Sequence, residues 1–231
     1  MKVMGSGRNK GSSGLYVYEA LSEKIINLEW LPGQAISEKE VAEWLGVSKT
    51  PIRDAMNMLA AQELVDVYPQ RGTYISYIDL DLVQEVRFAR RVLEEAVLLE
   101  AVKEFPKDKL FELETILSLS SLSIRKRMYR EFFKYDEDFH RILFEGCNKR
   151  RIWQSTYALN AQFRRLRMLS LISSDEQSWN KIEKEHEQMF QAIVSKDSSF
   201  VKQIIDDHLS PEKNPHTSLM EKYPEYFKHC K

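Results

Sequence analysis

Two short helical periods joined by a single glycine constrain this chain more than any bulk property does. Ser37-Glu38-Lys39-Glu40 reads as a capping box, in which the Ser37 side chain accepts from the Glu40 amide while Glu40 reaches back. The helix it opens turns Val41, Ala42 and Leu45 inward and closes at Gly46. Ser48 caps a second run, where Pro51 is tolerated in the first turn and Ile52, Ala55, Met56 and Leu59 are spaced for burial. Upstream, Tyr18, Leu21, Ile25 and Leu28 recur at three- and four-residue steps until Pro32-Gly33. Downstream, residues 64–68 and 73–77 are rich in β-branched and aromatic types, and Pro69-Gln70-Arg71-Gly72 between them is turn chemistry. Three helices followed by a hairpin predict a winged helix-turn-helix over residues 15–78.

After Asp79 the period is helical throughout. Helices are expected near 80–104, 108–124, 126–146, 149–172, 176–195 and 198–210. With no strand pattern and only 8 Gly and 7 Pro in 231 residues, an all-helical bundle follows. The fold class is mainly α, in three parts: a flexible Gly/Ser-rich tail at 1–14, the winged domain at 15–78, and a helical domain at 79–231. Beyond Ser210, Pro211, Pro215 and Pro224 predict an irregular end. No uncharged apolar run reaches the ~18 residues of a membrane helix. The cysteines, Cys147 and Cys230, make no CxxC pair, which suits a reducing cytoplasm.

The net charge of −1 argues against bulk attraction to nucleic acid, and the balance holds locally: residues 1–77 carry 8 basic and 9 acidic groups. Binding must then rest on placed cations. A recognition helix meets bases with its N-terminal residues, here Lys49, Thr50 and Arg53. Arg53 can fork onto guanine, and Ser48 or Thr50 can reach phosphate. Gly72 lets the hairpin backbone approach closely, with Arg71 beside it to probe a minor groove. The alternative is a winged helix used for protein contacts.

The helical domain places polar residues where its period demands apolar ones. Asp136 and His140 share a face with Phe132, Phe139 and Leu143, while His186 sits among Ile182, Met189 and Ile193. His208 joins Val201, Ile204 and Ile205 on the last helix. An unpartnered carboxylate on an apolar face is costly, so Asp136 requires a partner. Asp136 and His140 are one turn apart, and His186 and His208 flank the Lys196-Asp197 turn at nearly equal distances. Three imidazoles and a carboxylate suit one divalent transition ion. Each histidine taken singly also reads as a hydrogen-bonded core residue.

The run from Leu21 to Ser76, with PG at 32–33, SEKE at 37–40, GVSKTPIR at 46–53 and RG at 71–72, resembles the DNA-binding domain of the GntR family of bacterial regulators. The resemblance implies DNA contacts from Lys39, Lys49, Thr50, Arg53, Arg71 and Gly72. At Lys39 and Lys49 the family usually carries arginine; lysine keeps the charge but loses the fork. Residues 80–210 resemble the metal-binding branch of the FCD effector domain of the FadR subfamily, through Asp136-Glu137-Asp138-Phe139-His140, Asn148, Glu185-His186 and His208-Leu209. That implies zinc, nickel or manganese on Asp136, His140, His186 and His208, beside a small carboxylate effector. Arg90, in Arg90-Arg91-Val92-Leu93-Glu94, then faces the effector, or instead pairs with Glu94 at the surface.

The chain is accordingly expected to be a cytoplasmic, homodimeric transcription regulator, a repressor on double-stranded operator DNA, and not an enzyme. Two alternatives remain open. One is a metal-dependent enzyme acting on small organic acids, although no HExxH motif occurs and Glu137 and Glu185 should point away from the ligands. The other is a regulator with a purely structural metal.

Overall fold

The computed structural model describes residues 10–210 and 216–228, divided into two compact units. The first unit holds α1 (Lys10–Ile26), β1 (Ala35–Ile36), α2 (Glu38–Leu45), α3 (Lys49–Ala61), β2 (Val65–Tyr68) and β3 (Gly72–Ile75). Helix α1 packs on α3, and α3 also meets α2 and β2. Their shared core is Val17, Leu21, Ile25, Val41, Ile52, Ala55, Leu59, Leu64 and Ile75, all buried. The strands form one antiparallel sheet in the order β1-β3-β2, with Val65 opposite Ile75 and Tyr68 opposite Gly72.

Ser37 caps α2 as the spacing predicts: Glu40 N donates to Ser37 Oγ at 3.4 Å. Gly46 closes α2 at φ 64°, the left-handed region, and its N–H bonds Ala42 O. Gly72 sits at φ 111° where the hairpin reverses. Three expectations are corrected here. The hairpin gains a third strand, because Ala35 and Ile36 pair with Tyr74 and Thr73. Ser48 occupies the cap position of α3 without a side-chain capping bond. Helix α1 begins at Lys10, five residues before Leu15, so residues 10–14 are not tail. Gly14 eases the close approach of this extension to α3, where a Cβ would sit 3.3 Å from Asp54 Cβ. The remainder of the expected tail, residues 1–9, lies outside the described residues.

The second unit holds α4 (Leu80–Lys103), α5 (Lys107–Arg125), α6 (Tyr129–Gly146), α7 (Arg150–Leu159), α8 (Ala161–Ser173), α9 (Glu176–Ser195), α10 (Val201–His208) and α11 (His216–Lys222). Helix α4 is central, packing on α6, α8, α9 and α10, while α5 packs on α6 and α9. Asp79 and Asp175 cap α4 and α9 by accepting from Asp81 N and Ser178 N. Among the described residues no helix is long and apolar enough to cross a membrane.

The helix expected over 149–172 is two helices. Asn160 takes ψ 4° and its N–H turns to Tyr157 O, so the helical ladder breaks and α8 starts afresh. The expected 126–146 helix starts later, at Tyr129, because Arg127 at φ 54° finishes α5, with Met128 N bonded to Ser123 O. The end of the chain is not irregular throughout, since α11 packs on α8. Nor does all of it belong to the helical domain. After a 3-10 turn at Pro224–Tyr226, Phe227 bridges in parallel to Ile78, and residues 225–228 belong to the first unit. The cause is burial: Phe227 and Ile78 are 2% and 0% exposed. Cys147 is a buried free thiol, and Cys230 lies outside the described residues.

Candidate metal centre and nucleic-acid interface

In the first unit every residue expected at DNA is exposed. Ser48, Lys49, Thr50 and Arg53 open α3, Lys39 lies on α2, and Arg71 and Gly72 form the wing tip. The first amides of α3 receive no side-chain cap from Ser48, which leaves the positive end of the helix dipole facing outward. Arg53 Nε lies 3.8 Å from Glu38 Oε2 and Lys39 Nζ 3.9 Å from Glu43 Oε1. Both pairs are exposed and loose, worth at most ~1 kcal/mol, so a phosphate or base can replace either carboxylate. The wing tip is braced by Tyr74, whose Oη donates to Arg71 O at 3.1 Å and whose ring meets Tyr68 edge-on.

In the second unit α6, α9 and α10 bring Asp136, His140, His186 and His208 together, with one ligand atom from each lying within 4.8 Å of the others. His140 Nε2 is 3.3 Å from His186 Nε2 and 3.2 Å from His208 Nε2, and His186 Nε2 is 3.5 Å from Asp136 Oδ1. Spacing alone had gathered these four from three helices, and the fold places them at one point.

Burial holds the His186 imidazole well below its ordinary pKa, against the pull of Asp136. Burial lowers His208 as well, against its hydrogen bond to Glu185. Three imidazole nitrogens and a carboxylate oxygen turned toward one point form a donor set that a divalent cation can share.

Carboxylates behind the rings fix which nitrogen faces inward. Glu185 Oε2 is 3.0 Å from His208 Nδ1. Glu94 Oε2 is 3.0 Å from His140 Nδ1, off the line of an ideal hydrogen bond. Burial alone would raise the Glu94 carboxyl, but Arg90 and His140 outweigh it and hold the group ionised. Such carboxylate–imidazole pairs orient ring nitrogens toward a metal. The residues thus fit a divalent ion in donor type and in orientation.

Sequence reasoning missed Glu94, and it expected Glu185 to point away. Helix α10 packs on α9 and brings His208 to the flank that Glu185 occupies. Glu137 does point elsewhere, onto Arg164 Nε and Nη2. The required partner of Asp136 is Arg167 of α8, which also went unread. Arg167 Nη2 donates to Asp136 Oδ1 at 2.6 Å and Nη1 donates to Oδ2. Burial would raise Asp136, yet Arg167 holds it well below the usual carboxylate range. The available signal was the arginines at 164, 165 and 167, interleaved with Phe163, Leu166, Met168 and Leu169 on one helix.

Beside the cluster lies a cavity of about 300 Å³. Arg90, Arg167 and Lys181 give it positive charge, Ser170, Ser174 and Ser178 give it hydroxyls, and Phe163 and Trp179 give it apolar wall. His208 and Glu185 also line it, so the cavity reaches the candidate metal ligands. Arg90 lines this cavity and pairs with Glu94, but the pair is not at the surface as expected. Its Nε donates to Glu94 Oε1 at 2.6 Å in a buried, not surface, pair, while its guanidinium lies 5.0 Å from the Phe163 ring at the cavity.

Residues 15–75 match the family described as bacterial regulatory proteins, gntR family, and residues 85–211 match the FCD domain. The HTH-type transcriptional repressor RspR of Escherichia coli K12 is 29% identical over 195 residues, spanning 84% of each chain. An HTH-type regulator in an unstable DNA locus of Streptomyces ambofaciens is 30% identical over 194 residues, spanning 84% of this chain and 80% of that one. The gluconate operon transcriptional repressor of Bacillus subtilis is 25% identical, over 84% of this chain and 80% of its own. Among solved structures, E. coli McbR/YncC shares the fold with a TM-score of 0.77 at 18% identity, covering 95% of this chain and 100% of that one. The three named relatives are all described as regulators of transcription. The chain belongs to the GntR family of transcriptional regulators and carries an FCD domain.

Proposed function

We propose that the protein is a cytoplasmic repressor whose grip on operator DNA is set by a small carboxylate effector bound beside a divalent ion in the helical unit. The observation that carries this reading is the meeting of three inward-facing imidazole nitrogens with a cation-lined cavity. Asp136, His140, His186 and His208 would hold one ion per chain, zinc, nickel or manganese. When bound, that ion supplies positive charge for an organic anion. Arg90 orients the carboxylate with its fork, and the serines accept hydroxyl groups. A relative named for the gluconate operon supports an acid of this kind.

At the other end, Arg53 reads a base edge while Ser48, Lys49, Thr50 and Lys39 engage phosphates, and Arg71 beside Gly72 enters the minor groove. A homodimer would place two readers on two half-sites. The exposed Phe88 and Val92, one turn apart on α4, support a self-contact of the helical unit. Effector binding changes DNA affinity through a coupling of ~1–3 kcal/mol.

One paired experiment tests this reading. Purified protein should contain about one divalent ion per chain by elemental analysis and should shift its own promoter DNA in a gel. Arg53→Ala should lose the shift and keep the ion, while a His186→Ala/His208→Ala double variant should lose the ion. An unchanged shift in the first variant, or unchanged metal in the second, overturns the corresponding half.

A further inference from the structure

Arg167 stands in two places at once. It lines the cavity, and its fork holds both oxygens of Asp136, including Oδ1, the oxygen 3.5 Å from His186 Nε2. The carboxylate oxygen nearest the histidines therefore already accepts from a guanidinium. Asp136 is 1% exposed and has no water to replace that partner, whereas Arg167 reaches the cavity. A cation at the histidines and the Arg167 cation compete for one carboxylate.

We propose that Arg167 is passed between two anions: it neutralises Asp136 when no ion is present, and turns to an anion in the cavity when an ion claims Asp136. Metal and effector then bind cooperatively because each supplies what the other displaces. This rests on the reading of the cluster as a metal centre beside an anion cavity.

The cavity lining gives the same sign. Arg90 and Lys181 line the same cavity as Arg167, so an ion at the histidines adds positive charge beside three cationic side chains. A buried excess of positive charge recruits an anion. The cavity, about 300 Å³ and adjoining both Arg167 and His208, is where one fits. By linkage the metal raises anion affinity by the factor that the anion raises metal affinity, on the order of 5–150-fold.

The test uses the full chain, cobalt(II) read by its absorption spectrum, and acetate, malonate and D-gluconate as anion probes in calorimetry. In wild type at least one probe should bind about tenfold or more tightly with cobalt than in EDTA, with the reciprocal gain for cobalt. Asp136→Asn, which removes the charge that holds Arg167, should bind that probe in EDTA. Arg167→Lys, with a weaker grip on Asp136, should take up cobalt alone at least as tightly as wild type while the anion's enhancement shrinks. If cobalt binds but no probe distinguishes cobalt from EDTA, the exchange is refuted and the metal centre stands. If Arg167→Lys binds cobalt more weakly than wild type, Arg167 is only a structural support and the exchange is refuted. If wild type binds no cobalt, the metal reading fails and the exchange fails with it.

Discussion

Glu185 shows what a residue can do beside the proposed metal ligands without being one of them. Its carboxylate lies 3.0 Å from His208 Nδ1, so it fixes the ring's tautomer and turns Nε2 inward. Glu185→Gln keeps the shape and removes the charge. Metal affinity measured by competition with a chelator should fall roughly 10–100-fold, with helix content by circular dichroism unchanged. The ligands themselves were legible in the sequence because each interrupts an apolar period with a polar side chain. Glu185 was not, because it sits beside the buried stripe, and only α10 packing on α9 gives that flank a partner. Arg167 was hidden for a related reason. The arginines at 164, 165 and 167 mark their helix as unusual, but nothing local says that Arg167 is 8% exposed against a carboxylate on another helix.

At the scale of elements, the reading-head helices were legible because their ends are written in caps. Ser37 with Glu40, and Gly46 after Leu45, set both ends of α2 by local chemistry alone. Gly46 gives a clean separation of conformation from crowding. It holds φ 64°, yet a Cβ there would meet nothing within 4 Å. Gly46→Ala should therefore cost about 1 kcal/mol by chemical denaturation, from left-handed strain alone. Gly46→Asn should recover part of the loss, since asparagine tolerates that region. Where elements depend on remote partners the sequence was mute. β1 is two residues long and exists only because β3 lies beside it. The division at Asn160 likewise follows from a ψ of 4° that no Pro or Gly announces.

Across the whole molecule, charge balance leaves DNA binding to a handful of cations, and the end of the chain does structural work that composition did not reveal. Phe227, 2% exposed, is a core residue of the winged unit although about 150 residues of chain separate it from Ile78. Phe227→Ala should destabilise that unit by ~3–5 kcal/mol, seen as an earlier thermal transition. Bound metal should remain at its wild-type level, because the ligands belong to the other unit. An equal loss of metal would show that the two units unfold as one.

The bridge at Ile78 and Phe227 also changes what counts as a separable piece. The backbone passes between the units twice, once after Ile78 and again after Pro224. A protease that nicks the crossing after Ile78 leaves the helical unit joined to the winged unit only through the noncovalent bridge of Ile78 and Phe227. A fragment trimmed to the matched reader, residues 15–75, would lack both Ile78 and Phe227, so an excised reader should carry both strands of that seam.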